Sequence, residues 1–212
     1  MSNFLKQSAQ KGFTLIELII VITILVILGV VVVVLIDPAE ILAQSRDSQR
    51  ISDLASIKGA TQLVLASGTP SNASTVCDLD SQPISPTSTM WISLPSGTSG
   101  GPAAYSSSTT QELSTMADGT GWIRVNYASS TTGRAFSNLP IDPTNSSSYY
   151  YRWGCTYIGG IYEYEADATL ESAKYKYDCT TSGCDRKATK DGGNSTTRYE
   201  IGNNLNVLPA TL

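Results

Sequence analysis

From Phe13 to Ile36 the chain reads FTLIELIIVITILVILGVVVVVLI, 24 almost uniformly apolar residues that include one acid, Glu17. As helix this run extends about 36 Å, enough to cross the roughly 30 Å hydrocarbon core of a bilayer. It is too long for the apolar region of an ordinary secretory signal, and no small-x-small cleavage site closes it. Lys6 and Lys11 precede it and would orient a signal anchor with its amino terminus in the cytoplasm. Glu17 is the one residue such an anchor leaves unexplained. An ionised side chain four residues into a span costs on the order of a few kcal/mol unless it reaches the headgroups or finds a partner.

The next segment, IDPAEILAQSRDSQRISDLASIKGATQLVLASG, changes to helical spacing. Asp37 suits an N-cap, Pro38 the first helical position, and Glu40 the third residue of a capping box. The pattern predicts a break at Ile36–Pro38 and a fresh helix to about Ala66. Ile51, Leu54, Ile57, Thr61, Val64 and Leu65 form its packed face. Arg46, Asp47, Arg50, Asp53 and Lys58 are expected to face solvent or neighbouring subunits.

Beyond Ser67 the chain is rich in Ser, Thr, Gly and Pro as far as Gly121, which signals loops. "MWISL" (90–94) reads as a short strand and "ELSTM" (112–116) as one helical turn. "GTSGGP" lacks the Lys-Ser/Thr and the strand–helix frame of a phosphate loop. Strand patterns follow in "GWIRVNY" (121–127), in "SYYYRWGCTY" (148–157) paired with "GIYEYEADATL" (160–170) as a hairpin, and in "RYEIGNNLNVL" (198–208) after a "DGGN" turn. The predicted class is α+β: a long N-terminal helix, half transmembrane and half amphipathic, packed on a small antiparallel sheet of three to five strands.

The net charge is −4 and becomes −6 if a leader with Lys6 and Lys11 is removed. With a pI near 4.8, the surface as a whole is unsuited to nucleic acid. The basic stretch "CDRKATK" (184–190) reads as a solvated loop, with a minor role in DNA binding or adhesion as its functional alternative. There is no histidine, so Ser-His and Cys-His nucleophile systems are absent and no catalytic residue is assigned. Glu163 and Glu165 share a strand face in the manner of a glycosidase pair, but read as solvated strand charges. The four cysteines, Cys77, Cys155, Cys179 and Cys184, all follow the apolar run and suit two disulfides in an exported domain better than a four-thiolate zinc site. Cys179–Cys184 as a local loop and Cys77–Cys155 as a long-range staple is the favoured pairing of three.

The stretch "KGFTLIELIIVITILVIL" resembles the amino terminus of type IV prepilins and of type II secretion pseudopilins. Their pattern is a basic leader ending in Gly, then Phe, and Glu as the fifth residue after the cut; here Gly12, Phe13 and Glu17 match it. The resemblance covers about 30 residues. It implies a cleaved leader 1–12, cut between Gly12 and Phe13 and followed by N-methylation of Phe13. It further implies a transmembrane and fibre-core helix 13–36, an amphipathic helix 37–67 and an exported β-rich domain 68–212. Implied partners are copies of the chain, other pilins, the prepilin peptidase that methylates, and the membrane assembly machinery. The implied location is the cytoplasmic membrane before assembly and an extracellular or periplasmic filament afterwards. Glu17 would meet the Phe13 amine of a neighbouring subunit, relieving two buried charges at once. No cofactor is implied. "LPIDPTNSSSYYYRW" (139–153) looks like the calcium loop of major pseudopilins, with Asp142 and the Asn145 or Ser146 oxygens as hard donors. It lacks that pattern's Gly and second Pro, which favours a structural loop. A structural subunit of a pilus or pilus-like filament is the expected function. The alternatives are a type II secretion pseudopilin or a membrane-tethered adhesin or binding domain that does not polymerise.

Overall fold

A computed structural model describes residues 12–66, 90–95, 109–111, 113–128, 136–158, 160–180 and 182–210. The chain divides into two compact units, one ending at Ile41 and the other beginning at Leu42.

In the first unit, α1 spans Leu15–Leu35. Thr14 caps it in extended conformation, and Ile36 N closes it on the Val32 carbonyl at 3.1 Å. The helix is long and apolar enough to cross a membrane, and none of its side chains is buried by protein. α2 spans Pro38–Ala66. Asp37 Oδ1 accepts from Ala39 N (3.1 Å) and Glu40 N (3.3 Å), satisfying two amides that the first turn leaves without carbonyl partners. Pro38, which has no N–H to satisfy, stands at the first helical position.

In the second unit α2 packs on a five-stranded sheet of order β2-β1-β3-β4-β5, with β1 Met90–Ile92, β2 Thr109–Gln111, β3 Tyr151–Ile158, β4 Ile161–Ala168 and β5 Tyr199–Gly202. Four strands are antiparallel, and β2 adds a three-residue parallel edge against β1. The class is α+β and the architecture pilin-like. The predicted hairpin is β3–β4, paired from Tyr151↔Ala168 to Ile158↔Ile161, with Gly160 at φ 89° in the turn.

Alternation gives the sheet two faces. Tyr151, Trp153 and Cys155 of β3, Tyr164, Ala166 and Ala168 of β4, and Ile201 of β5 meet Leu54, Ile57, Ala60 and Val64 of α2 in one core. Trp153 stacks on Tyr164 at 5.5 Å between centroids. On the opposite face lie Arg152, Glu165, Asp167 and Glu200, and they too are buried.

Three local expectations change. The segment 121–127 is not a strand: Trp122 and Ile123 are consecutive and both fully buried, which strand alternation on one face does not allow. It folds instead as an irregular plug on α2, pinned by Trp122 Nε1 donating to Pro140 O (2.9 Å) and by a Tyr127–Thr61 hydroxyl contact (2.9 Å). Residues 113–116 carry no helical turn; Met116 instead forms an isolated bridge with Asn138. Asp47 and Arg50, expected outside, are fully buried, because the packed seam of α2 begins a turn and more before its first apolar member, Leu54.

Candidate processing and assembly site

Gly12 and Phe13 precede the first turn of α1, and Phe13 is 92% exposed. The junction is open among the described residues: apart from the adjacent residues of the chain, none has an atom within 4 Å of where a Gly12 side chain would begin. Glu17 does not stand alone. Its Oε2 accepts from Thr14 N (2.8 Å) and Thr14 Oγ1 (2.7 Å), while Glu17 N donates back to Thr14 Oγ1 (3.3 Å). This reciprocal capping box places the carboxylate at the positive end of the helix dipole. Thr14 was missed in the sequence, although "TLIE" is a T-x-x-E capping signature in plain view.

The residues expected on the outer face of α2 build a second polar centre. Arg50, at 0% exposure, donates to Asp142 through Nε (2.7 Å) and Nη2 (2.9 Å), and through Nη1 to Asp47 (2.8 Å) and Glu171 (2.8 Å). Its guanidinium lies 4.9 Å from the Tyr149 ring centre. Asp47 in turn accepts from Glu171 N (3.0 Å) and Ser172 N (2.8 Å), so the chain leaving β4 is tied to α2 through both backbone and side chain. Arg46 completes the cluster with a forked contact to Glu171 (2.5 and 3.1 Å). Burial alone would raise the Glu171 carboxyl, but Arg46 and Arg50 outweigh it and hold it below the ordinary carboxylate range.

Asp142 is therefore committed. Beyond Arg50 it accepts from Thr144 N (2.8 Å) and Asn145 N (3.2 Å), and Asn145 Oδ1 takes the Ser93 hydroxyl (3.4 Å). A calcium ion drawn to this carboxylate would first have to displace a buried guanidinium, so the donor set does not fit the ion. Glu163 accepts from Asn204 Nδ2 (2.8 Å) toward the hairpin end of β4, whereas Glu165 is fully buried; the two are not a matched pair of solvated strand charges. The strap formed by residues 203–210, whose amides reach Glu165, accounts for that difference.

Cys179 and Cys184 form a disulfide. Cys155 is disulfide-bonded as well; its expected partner Cys77 lies outside the described residues. In the basic stretch that follows, Asp185 pairs with both Lys187 (2.8 Å) and Lys190 (3.1 Å), which offsets one of its three positive charges.

The family model described as the prokaryotic N-terminal methylation motif matches residues 7–35. No curated protein and no solved structure matches the chain significantly. The match spans the Gly12–Phe13 junction, the Thr14–Glu17 box and all of α1, and it ends where α1 ends. The amino-terminal segment of this chain is a type IV prepilin-like, class III signal sequence, carried on a pilin-like α+β architecture.

Proposed function

We propose that this chain is a structural subunit of a type IV pilus or pilus-like filament. Its leader, residues 1–12, is removed by a prepilin peptidase at the cytoplasmic face, and Phe13 is then N-methylated. Residues 13–36 first hold the subunit in the membrane and afterwards form the fibre core, while the α2 scaffold and sheet stand outside. Its partners are copies of itself, other pilins and the membrane assembly machinery.

The observation that carries this reading is the coincidence of three features in one short segment. The methylation motif, an open Gly–Phe junction and a membrane-length helix with no protein-buried residue all fall within residues 7–35. A simple tether needs the helix but neither the junction nor Glu17. The capping box suggests how the acid is carried in the monomer: two Thr14 donors satisfy Oε2, and Oε1 takes no donor from the described residues. In the fibre, the cationic amine of a neighbour's Phe13 supplies the missing charge.

Mass spectrometry of the mature protein tests the first step, with N-methyl-Phe13 as the expected terminus. Electron microscopy of cells making the chain tests the second. A mature protein that begins at Met1, or a processed one that never enters filaments, overturns the corresponding step.

A further inference from the structure

The far face of the sheet is covered by a strap, residues 203–210. Leu208 seats on Gly154 of β3, where an added Cβ would lie 2.6 Å from Leu208 Cδ2. The strap is held by its backbone. Val207 N and Leu208 N donate to Glu165 Oε2 (2.9 and 2.8 Å), Arg152 Nη2 donates to Pro209 O (3.2 Å), and Asn194 Nδ2 donates to Leu208 O (3.0 Å). Glu165 is the pivot, since among the described residues it alone takes two strap amides.

Beside it stands Glu200 of β5, 2% exposed, whose Oε2 accepts from Ser195 N (2.9 Å). Carboxylate oxygens of Glu165, Asp167 and Glu200 lie within 4.8 Å of one another, which sets the two glutamates' carboxyl groups side by side. Among the described residues, Oε1 of each has no N–H or O–H donor. Two buried carboxylates in such contact cannot both ionise without a large penalty.

The surrounding charges decide what fills the gap. Arg152 and Arg198 both hold Asp167, the former through its Nε and Nη2 and the latter through Nε at 2.6 Å. Three buried acids thus face two guanidiniums, and one proton makes the group neutral. A metal ion would sit beside both guanidiniums and find Asp167 already occupied. Asp191 adds a half-buried acid at the rim, its Oδ2 accepting from Glu200 N (2.8 Å). Lys58, Lys187, Lys190 and Asp185 line a polar cavity of about 350 Å³ next to Glu200. From Asn203 to Ala210 the strap has no ionisable side chain.

We propose that Glu165 and Glu200 share one proton, and that this proton latches the strap over the sheet so that the strap loosens as pH rises. Burial first, and the Glu200 carboxyl second, push Glu165 up to about 9. The closed strap therefore holds a proton that an opened, hydrated Glu165 releases. Closure is at full strength below the ordinary carboxylate range, weakens about tenfold per pH unit above it, and levels off past the closed-state value.

The test uses the full chain in detergent micelles. Amide-exchange protection at Val207 and Leu208 is followed from about pH 6 to about pH 10, with the infrared carboxyl band recorded alongside. Wild type should show a protonated-carboxyl C=O stretch at neutral pH and a fall in protection of about tenfold per pH unit up to about pH 9. Glu165→Gln places an amide where the shared proton stood while its oxygen still receives the strap; protection should become independent of pH and the band should vanish. If that variant fails to fold, Glu200→Gln must abolish the same band. A wild type with no protonated-carboxyl band at neutral pH overturns the proposal, as does an unchanged pH dependence in Glu165→Gln. Protection restored by added calcium or magnesium in a protein lacking the band would assign the gap to a cation instead, and overturn it equally.

Discussion

Replacing Arg50 by alanine removes the one side chain among the described residues that joins α2 to both the 142–144 loop and the chain after β4. Removing one partner of a buried ion pair costs about 3–5 kcal/mol, because the acids left behind stay buried. Here the figure falls toward the lower end. Asp47 keeps its two amide donors, Asp142 keeps Thr144 N and Asn145 N, and Glu171 keeps Arg46. The lost contact of the guanidinium with the Tyr149 ring adds about 1 kcal/mol. The sum is about 4 kcal/mol, which for a domain of this size lowers Tm by about 8–16 °C. Trp91, Trp122 and Trp153 are the only tryptophans, and all lie outside α1, so tryptophan fluorescence of the full chain in detergent reports this domain. Arg46→Ala is the internal comparison. Its side chain is 37% exposed, and a pair of that kind contributes about 1 kcal/mol or less. An Arg50→Ala midpoint no lower than that of Arg46→Ala would refute the reasoning.

Four further outcomes follow from the same geometry. Glu17→Ala should leave cleavage after Gly12 intact on mass spectrometry yet impair filament yield in electron micrographs; normal yield would remove the assembly role. Replacing Cys179 and Cys184 together by serine opens a loop with a separation of five residues and should cost about 2 kcal/mol in a fluorescence melt. Calcium or a chelator should leave the melting temperature unchanged, since Arg50 occupies Asp142; a calcium-dependent rise would show that the loop rearranges. In a pH series of melts, Glu171 is held low, so its contribution is present above the ordinary carboxylate range and lost as pH falls below it. Glu165 is raised, so its contribution is full in acid and lost as pH rises toward about 9. The two together place maximum stability on the mildly acid side, and Glu165→Gln should move it toward neutral.

What could be read in the sequence was periodic or local. α1 announces itself by length and composition, the β3–β4 hairpin by alternating aromatics around two glycines, and the apolar seam of α2 by Leu54, Ile57, Thr61 and Val64. The methylation motif was legible because it is contiguous. The misread charges share one cause: residue type alone marks a charge as exposed. Asp47 and Arg50 continue the seam at the same three- and four-residue spacing as Leu54 and Ile57, so position marks them as inward although residue type does not. Their partners, Asp142 and Glu171, lie about ninety and one hundred and twenty residues away, and no local pattern connects them. Glu165 presents the same difficulty. Its strand alternates as a one-faced strand should, but the stretch read as the end of the last strand leaves the sheet after Gly202 and, as the strap, makes that outer face a second interior.

The three ionic centres differ in how completely this chain satisfies its own acids. Asp142 and Asp47 have donors on every side, all within the fold, and their cluster closes the domain on α2. Glu165 and Glu200 lack one donor, which a proton can supply from solvent. Glu17 has both its donors among the described residues on one oxygen, at the start of a helix with no buried residue. A proton could neutralise Glu17 too, but a proton carries no information about register. A neighbouring amine does, because it can reach that carboxylate only when two apolar helices lie at one particular offset. The incompleteness of Glu17 is therefore of a different kind from that of the buried pair. On the proposed assembly, Glu17 is the acid among the described residues whose partner is a fixed charge on another molecule.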